Sequence, residues 1–255
     1  MPQQSTNNMK NKVLLLLLLA GLVAGCRFKT SKDNDDEDKN TPAGAVVPSA
    51  GSGVYNLDNK AAVKTARLNL EAGAIVVNLS DTTGKLFNAA VTDTTRKFVL
   101  SQQTTDSAEV VNFIMKEHNH VHHSDSANVD LRLNTNPQWD INAKVGAAQC
   151  NLDLSKFRIR KLMLNCAAGE VNVKLTPVLA NTNVEINASV AAITLRIPQD
   201  AACEVHVESA LAGNDFPGFQ KKDDDHYETS GFASAKNKIH IEANCSLSSF
   251  KIERY

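Results

Sequence analysis

Aromatic side chains are scarce in this chain: one tryptophan, three tyrosines and nine phenylalanines make up 5% of 255 residues. Material of that kind does not build a thick globular core. Valine, isoleucine, leucine, alanine and asparagine are plentiful instead, a mix suited to thin strands stacked closely. Net charge is lacking too, since 27 basic residues against 28 acidic ones leave −1. No basic patch points to nucleic acid. Past residue 25 no apolar run is long enough to span a bilayer. Catalytic signatures are also missing: there is no G-x-S-x-G, no H-E-x-x-H, no phosphate-cradling glycine loop and no reactive cysteine paired with a histidine. The chain is therefore expected to be noncatalytic and to need no cofactor.

What is present begins with an address. From Met9 the sequence runs MKNKVLLLLLLAGLVAGC, with Lys10 and Lys12 ahead of an apolar run from Val13 to Val23. Its length and its small-residue end mark a signal peptide rather than a spanning helix. Val23-Ala24-Gly25-Cys26 resembles the bacterial lipobox, in which cleavage precedes a cysteine diacylated on its thiol; the alternative is an ordinary secretory signal with Cys26 incidental. Acyl chains on Cys26 would anchor the protein, each buried methylene contributing roughly 0.8 kcal/mol. Removing residues 1–25 takes two lysines away and leaves a net charge of −3. Residues 26–53 are polar, acidic (SKDNDDEDKN) and then rich in Pro, Gly, Ala and Ser, a flexible tether or a surface-export signal. The expected division is a signal peptide over 1–25, the lipidated tether over 26–53 and one folded domain over 54–255. The location that follows is the cell envelope, at the outer membrane, on its periplasmic or its exposed face.

The folded part repeats itself. INAKVGAAQCNLDL from Ile141, LMLNCAAGEVNVKL from Leu162 and VEINASVAAITLRI from Val184 follow one another at 21 and 22 residues. In each copy apolar residues alternate with polar ones, the parity changes at a corner of small residues, and alternation resumes. Thus Leu162, Leu164 and Cys166 point inward before the corner and Val171, Val173 and Leu175 after it. One such coil cannot bury its inward side chains, whereas coils stacked about 4.8 Å apart form a continuous column. The spacing predicts an all-β, single-domain β-solenoid of about 21 to 22 residues per coil, with an antiparallel β-sandwich as the alternative. The irregular early segments and the terminal SFKIERY are expected to cap the stack. Residues 208–237, rich in Gly, Pro and Asp, are expected to form a loop or hairpin thrown out from it. Cys150, Cys166, Cys203 and Cys245 read first as small core residues and second as disulfide partners.

These residues resemble a known family. The run from LNTNPQWD through KLTPV, then VEINASVAAITLRIPQDAACEVHVESALAG, FPGF, HYETSGF and KIHIEANCSLSSFKI, is similar to the bacterial toast-rack domains, which occur in envelope-stress proteins responding to cell-wall-active antibiotics and in related adhesin domains. Trp139-Asp140, Leu152, Leu154, Ser155, Pro198, Tyr227 and Phe232 carry the likeness, which covers about residues 63–255. It implies a β-solenoid with an envelope role. Here a lipid anchor stands in place of the family's membrane-spanning helices.

Two groups of residues are candidates for binding. The outward positions Asn151, Asp153, Asn172, Lys174, Thr194 and Arg196 form a polar sheet surface suited to an envelope protein or glycan, or simply a solvated face. In EHNHVHH, His118, His120, His122 and His123 gather ligand-type side chains with metal-binding spacing; the bland reading is a solvated loop. Three functions follow: a noncatalytic envelope lipoprotein binding another envelope or surface component in stress response or adhesion; a metal-binding lipoprotein; and a glycan-active enzyme, which would need acids paired on one face. The sequence shows no sign of such a pairing.

Overall fold

Period-two alternation turns most of the described chain into strand. A computed structural model describes residues 45–46, 53–60, 63–92, 96–105, 108–116, 127–209 and 213–255. The signal peptide, Cys26, nearly all of the tether and His118, His120, His122 and His123 lie outside the described residues. The first eight strands are β1 Ala45–Val46, β2 Val54–Leu57, β3 Thr65–Ala72, β4 Val76–Thr82, β5 Phe87–Val91, β6 Phe98–Thr104, β7 Glu109–Met115 and β8 Asn128–Leu133. Three long strands follow: β9 Gln138–Asp153, β10 Arg158–Lys174 and β11 Asn181–Ile197. The remainder comprises β12 Ala202–Ser209, β13 Gly213–Asp215, β14 Phe219–Lys221, β15 His226–Thr229, a 3-10 turn at Phe232–Ser234, β16 Lys238–Cys245 and β17 Ser249–Arg254. Among the described residues no helix is long and apolar enough to cross a membrane.

The three long strands are the three copies of the repeat. Each runs through its corner without losing its partners, and they lie parallel and in register, Ile141 beside Leu162 beside Val184 before the corner and Cys150 beside Val171 beside Ile193 after it. At the corner of β10, Gly169 has φ 126°, a conformation that side-chain-bearing residues rarely adopt. The columns extend to both sides. Leu68 of β3 and Val77 of β4 stack below, while Ile241 of β16 and Phe250 of β17 stack above. Two sheet faces result. One runs β14-β15-β12-β16-β11-β10-β9-β3-β7-β6-β1; the other runs β13-β17-β11-β10-β9-β4-β8-β5-β2. Their inner side chains share one core cluster. Parallel, in-register coils make this an all-β solenoid; antiparallel pairing is confined to the two ends.

Two expectations fail. The terminal SFKIERY is no cap: β17 lies between β11 and β13, and Phe250 and Ile252 are fully buried. Nor is the 208–237 segment simply thrown out. Its strands build the end of the stack, β15 antiparallel to β12 and β13 parallel to β17. Backbone N–H and C=O groups on the last coil need partners, so the excursion folds back to supply them.

Two clusters of aromatic rings stand toward the ends of the stack, while Trp139 and Phe157 are buried in its middle. Tyr55, Phe87, Phe98 and Phe113 close one, with Phe98 stacked on Phe113 at 4.4 Å and Tyr55 edge-on to Phe113 at 5.0 Å. Phe216, Phe219, Tyr227 and Phe250 close the other, Phe216 meeting Phe250 at 5.2 Å. Large rings fill the wedge left where strands stop repeating. Cys150, Cys166, Cys203 and Cys245 are free and buried, and Cys150 occupies the column of Val171 and Ile193, as core residues rather than disulfide partners.

Candidate binding face

On the outside of the stack, in-register coils bring like residues together. Asn172 donates to Asn151 at 3.1 Å, Asn151 to Asn78 at 3.0 Å, and Asn78 to Asp130 at 3.0 Å. This ladder runs from β10 through β9 and β4 to β8. A second ladder on the other face links Asn244 to Asn187 at 3.2 Å and Asn187 to Asn165 at 3.3 Å. Each amide donates to the side-chain oxygen of the next residue in the ladder, which favours one arrangement of this polar surface.

Beside the first ladder lies a row of charge. Register sets Asp153, Lys174, Arg196 and Glu253 side by side on β9, β10, β11 and β17. Arg196 donates to Glu253 at 2.8 Å, and the Lys174 ammonium sits 4.5 Å from the ring centroid of Tyr255. Together ladder and row form a shallow groove of about 580 Å³ lined by residues that include Asn78, Ser80, Asp130, Asp153, Glu170 and Arg196. Of the six outward positions expected to make a surface, Asn151, Asp153, Asn172, Lys174 and Arg196 line the groove. Thr194 stands next in register to Asn172, outside the lining.

The groove also holds residues that sequence reasoning missed. Asn78 follows Val77 as Asn151 follows Cys150 and Asn172 follows Val171, so VNL, CNL and VNV were a legible signal. Asp130 and Glu170 carried none, being placed by the β4–β8 pairing and the corner of β10. They correct the expectation that no acids gather on one face: Asp130, Asp153 and Glu170 do. Each, however, accepts from a neighbour, Asp130 from Asn78, Asp153 from the Ser155 backbone N–H at 3.1 Å and Glu170 from Asn172 at 2.8 Å. Such carboxylates serve as fixed acceptors.

A different set of ligand-type side chains, Glu204, His206 and His226, meets on the outer side of β12 and β15. None of the histidines singled out from the sequence belongs to it.

Residues 35–196 match the family model described as the N-terminal domain of toast_rack, DUF2154. This chain belongs to the toast-rack family. A solved structure similar in fold is the crystal structure of a candidate cell adhesion protein from Clostridium sporogenes, with a TM-score of 0.69 and 19% identity over 79% of this chain and 98% of that one. A candidate adhesin from Bacteroides fragilis is 9% identical, covering 82% of this chain and all of that one, but its TM-score of 0.24 adds nothing to the fold assignment. No curated protein matches the toast-rack chain in sequence.

Proposed function

We propose that this toast-rack protein is a noncatalytic, lipid-anchored protein of the cell envelope whose groove face binds another envelope or surface component, in a stress response or in adhesion. The observation that carries the reading is the groove itself: Asn78, Asn151 and Asn172 hold one another rigid, and Asp130, Glu170, Lys174 and Arg196 present both signs of charge around them. A prearranged polar strip is suited to recognising an extended protein segment or a glycan, because little side-chain freedom is lost on contact. The solved relative described as a candidate cell adhesion protein supports an adhesive role by analogy of fold. The lipobox ending in Cys26 supports a lipid anchor in the envelope. A metal role for His118, His120, His122 and His123 gains no support from the groove.

The test is crosslinking in cells of the lipidated full chain, with mass spectrometry of what is recovered from membranes. Lys174→Glu with Arg196→Glu should abolish recovery of a reproducible partner, and mass spectrometry of the mature N-terminal peptide should find acyl chains on Cys26. Identical recovery with the groove variant removes the groove from the interaction. A mature N-terminal peptide with no acyl chain on Cys26 removes the anchor.

A further inference from the structure

At the end of the stack, β12, β15 and β16 place histidines and glutamates at adjacent outward positions. The antiparallel β12–β15 pairing sets His206 opposite His226 and Glu204 opposite Glu228. The parallel β12–β16 pairing sets His240 beside Glu204. The imidazoles of His206 and His226 stack with centroids 4.1 Å apart and planes 14° from parallel. One ligating atom from each of Glu204, His206 and His226 lies within 4.8 Å of the other two.

A second observation points into the same space. Nε2 of His226 is shut off from solvent and has no hydrogen-bond partner. It faces a carboxylate oxygen of Glu204 at 3.6 Å and one of Glu228 at 3.4 Å. These gaps are too long for good hydrogen bonds, and two carboxylate oxygens facing an imidazole nitrogen that makes no hydrogen bond form a place a metal cation can fill. The other oxygen of Glu204 is held by Nδ1 of His240 at 2.5 Å, and Nε2 of His240 reaches Oδ1 of Asn181 at 3.2 Å. That arrangement is an outer shell: it fixes the carboxylate while leaving its second oxygen directed at His226. Lys222 lies 3.4 Å from Glu228 and balances part of the acidic charge.

We propose that Glu204, His206 and His226 form a binding site for zinc or a similar divalent transition metal, with Glu228 or water as the fourth ligand. Two imidazoles and a carboxylate are the donor set such ions take, at about 2.0 to 2.2 Å from the metal and hence roughly 3.3 Å from one another. Closing from the present spacing takes a rotation of outward side chains on a fixed strand pair. The metal would tie β15 to β12 and so fasten the folded-back segment that ends the stack. The site shares no residue with the groove or with the histidine run at 118–123.

The experiment uses the full chain in detergent, in a background carrying His118→Ala, His120→Ala, His122→Ala and His123→Ala so that the separate histidine run cannot contribute. Equilibrium dialysis against zinc chloride should give one bound equivalent. His206→Ala, at an exposed position where the fold is retained by circular dichroism, should weaken binding by about tenfold or more; Glu204→Gln should do likewise. With copper(II) as probe, paramagnetic resonance should show two nitrogen ligands, and one in the His206→Ala variant. No retained zinc in the background chain overturns the site. Zinc binding unchanged by both His206→Ala and Glu204→Gln overturns it equally.

Discussion

Glu109 opens β7 almost out of water, at 5% exposure. Burial by itself pushes its carboxyl up, but the Thr104 hydroxyl at 2.8 Å, the Lys60 ammonium at 3.2 Å and the Gln102 amide at 2.8 Å donate to it, and together with the Lys60 charge they hold it below the usual carboxylate range. A carboxyl lowered by folding contributes stability that is fully present above its unfolded pKa of about 4.3 and is lost as pH falls through the folded value. Glu109→Gln should therefore cost about 1–3 kcal/mol at pH 7 in urea unfolding, and the gap to wild type should narrow below about pH 4. An unchanged gap at pH 3.5 contradicts the assignment. The thiols behave in the opposite sense. Burial, with a smaller push from Cys166, raises Cys150 to about 12, and burial raises Cys203, Cys166 and Cys245 as well. At pH 8 iodoacetamide should leave Cys150 and Cys203 unmodified in the folded protein and alkylate both in urea, read by peptide mass spectrometry. Their place in the inward columns was legible from the repeat, since Cys150 stands where Val171 and Ile193 stand.

At the scale of the element, β17 separates a cap from a rung. A terminal strand that merely covered the stack would leave Phe250 with a free side; instead the ring is fully buried, touched by Phe216 from beyond and paired through its backbone to Ile193. Phe250→Ala should cost about 3–5 kcal/mol, the range for emptying a core aromatic position, measured as a shift in urea midpoint at unchanged slope. A loss under about 1 kcal/mol would restore the cap reading. The alternation that makes β17 a strand is visible in Phe250 and Ile252. Its neighbours are not, because Ile193 lies 57 residues earlier in the chain and a local pattern carries no record of such a pairing.

Across the whole molecule stability should rise from the ends to the middle. Strands β10 and β9 are hydrogen-bonded on both sides along both faces, whereas β13, β14 and β1 each sit at an edge. In a stack whose rungs contact mainly their neighbours, opening begins where one neighbour is missing. Native-state hydrogen exchange should find the slowest amides in β10 and the fastest among the described strands in β13 and β14. Uniform protection along the stack would mean that the ends are as cooperative as the centre.

The sequence by itself determined that the domain is all-β, that its coils repeat every 21 to 22 residues, which residues point inward, and that Asn151 and Asn172 share an outer face with Lys174 and Arg196. These are consequences of alternation and of small-residue corners, which neighbouring residues encode. Only the tertiary structure decided the order of the outer rungs, with β16 and β17 inserted between β11 and the earlier β12 and β13. It also decided the drawing of Asp130 and Glu170 into the groove and the meeting of Glu204, His206 and His226. The physical reason is that exposed strand edges demand partners, and which distant segment supplies them depends on how the whole chain closes its ends.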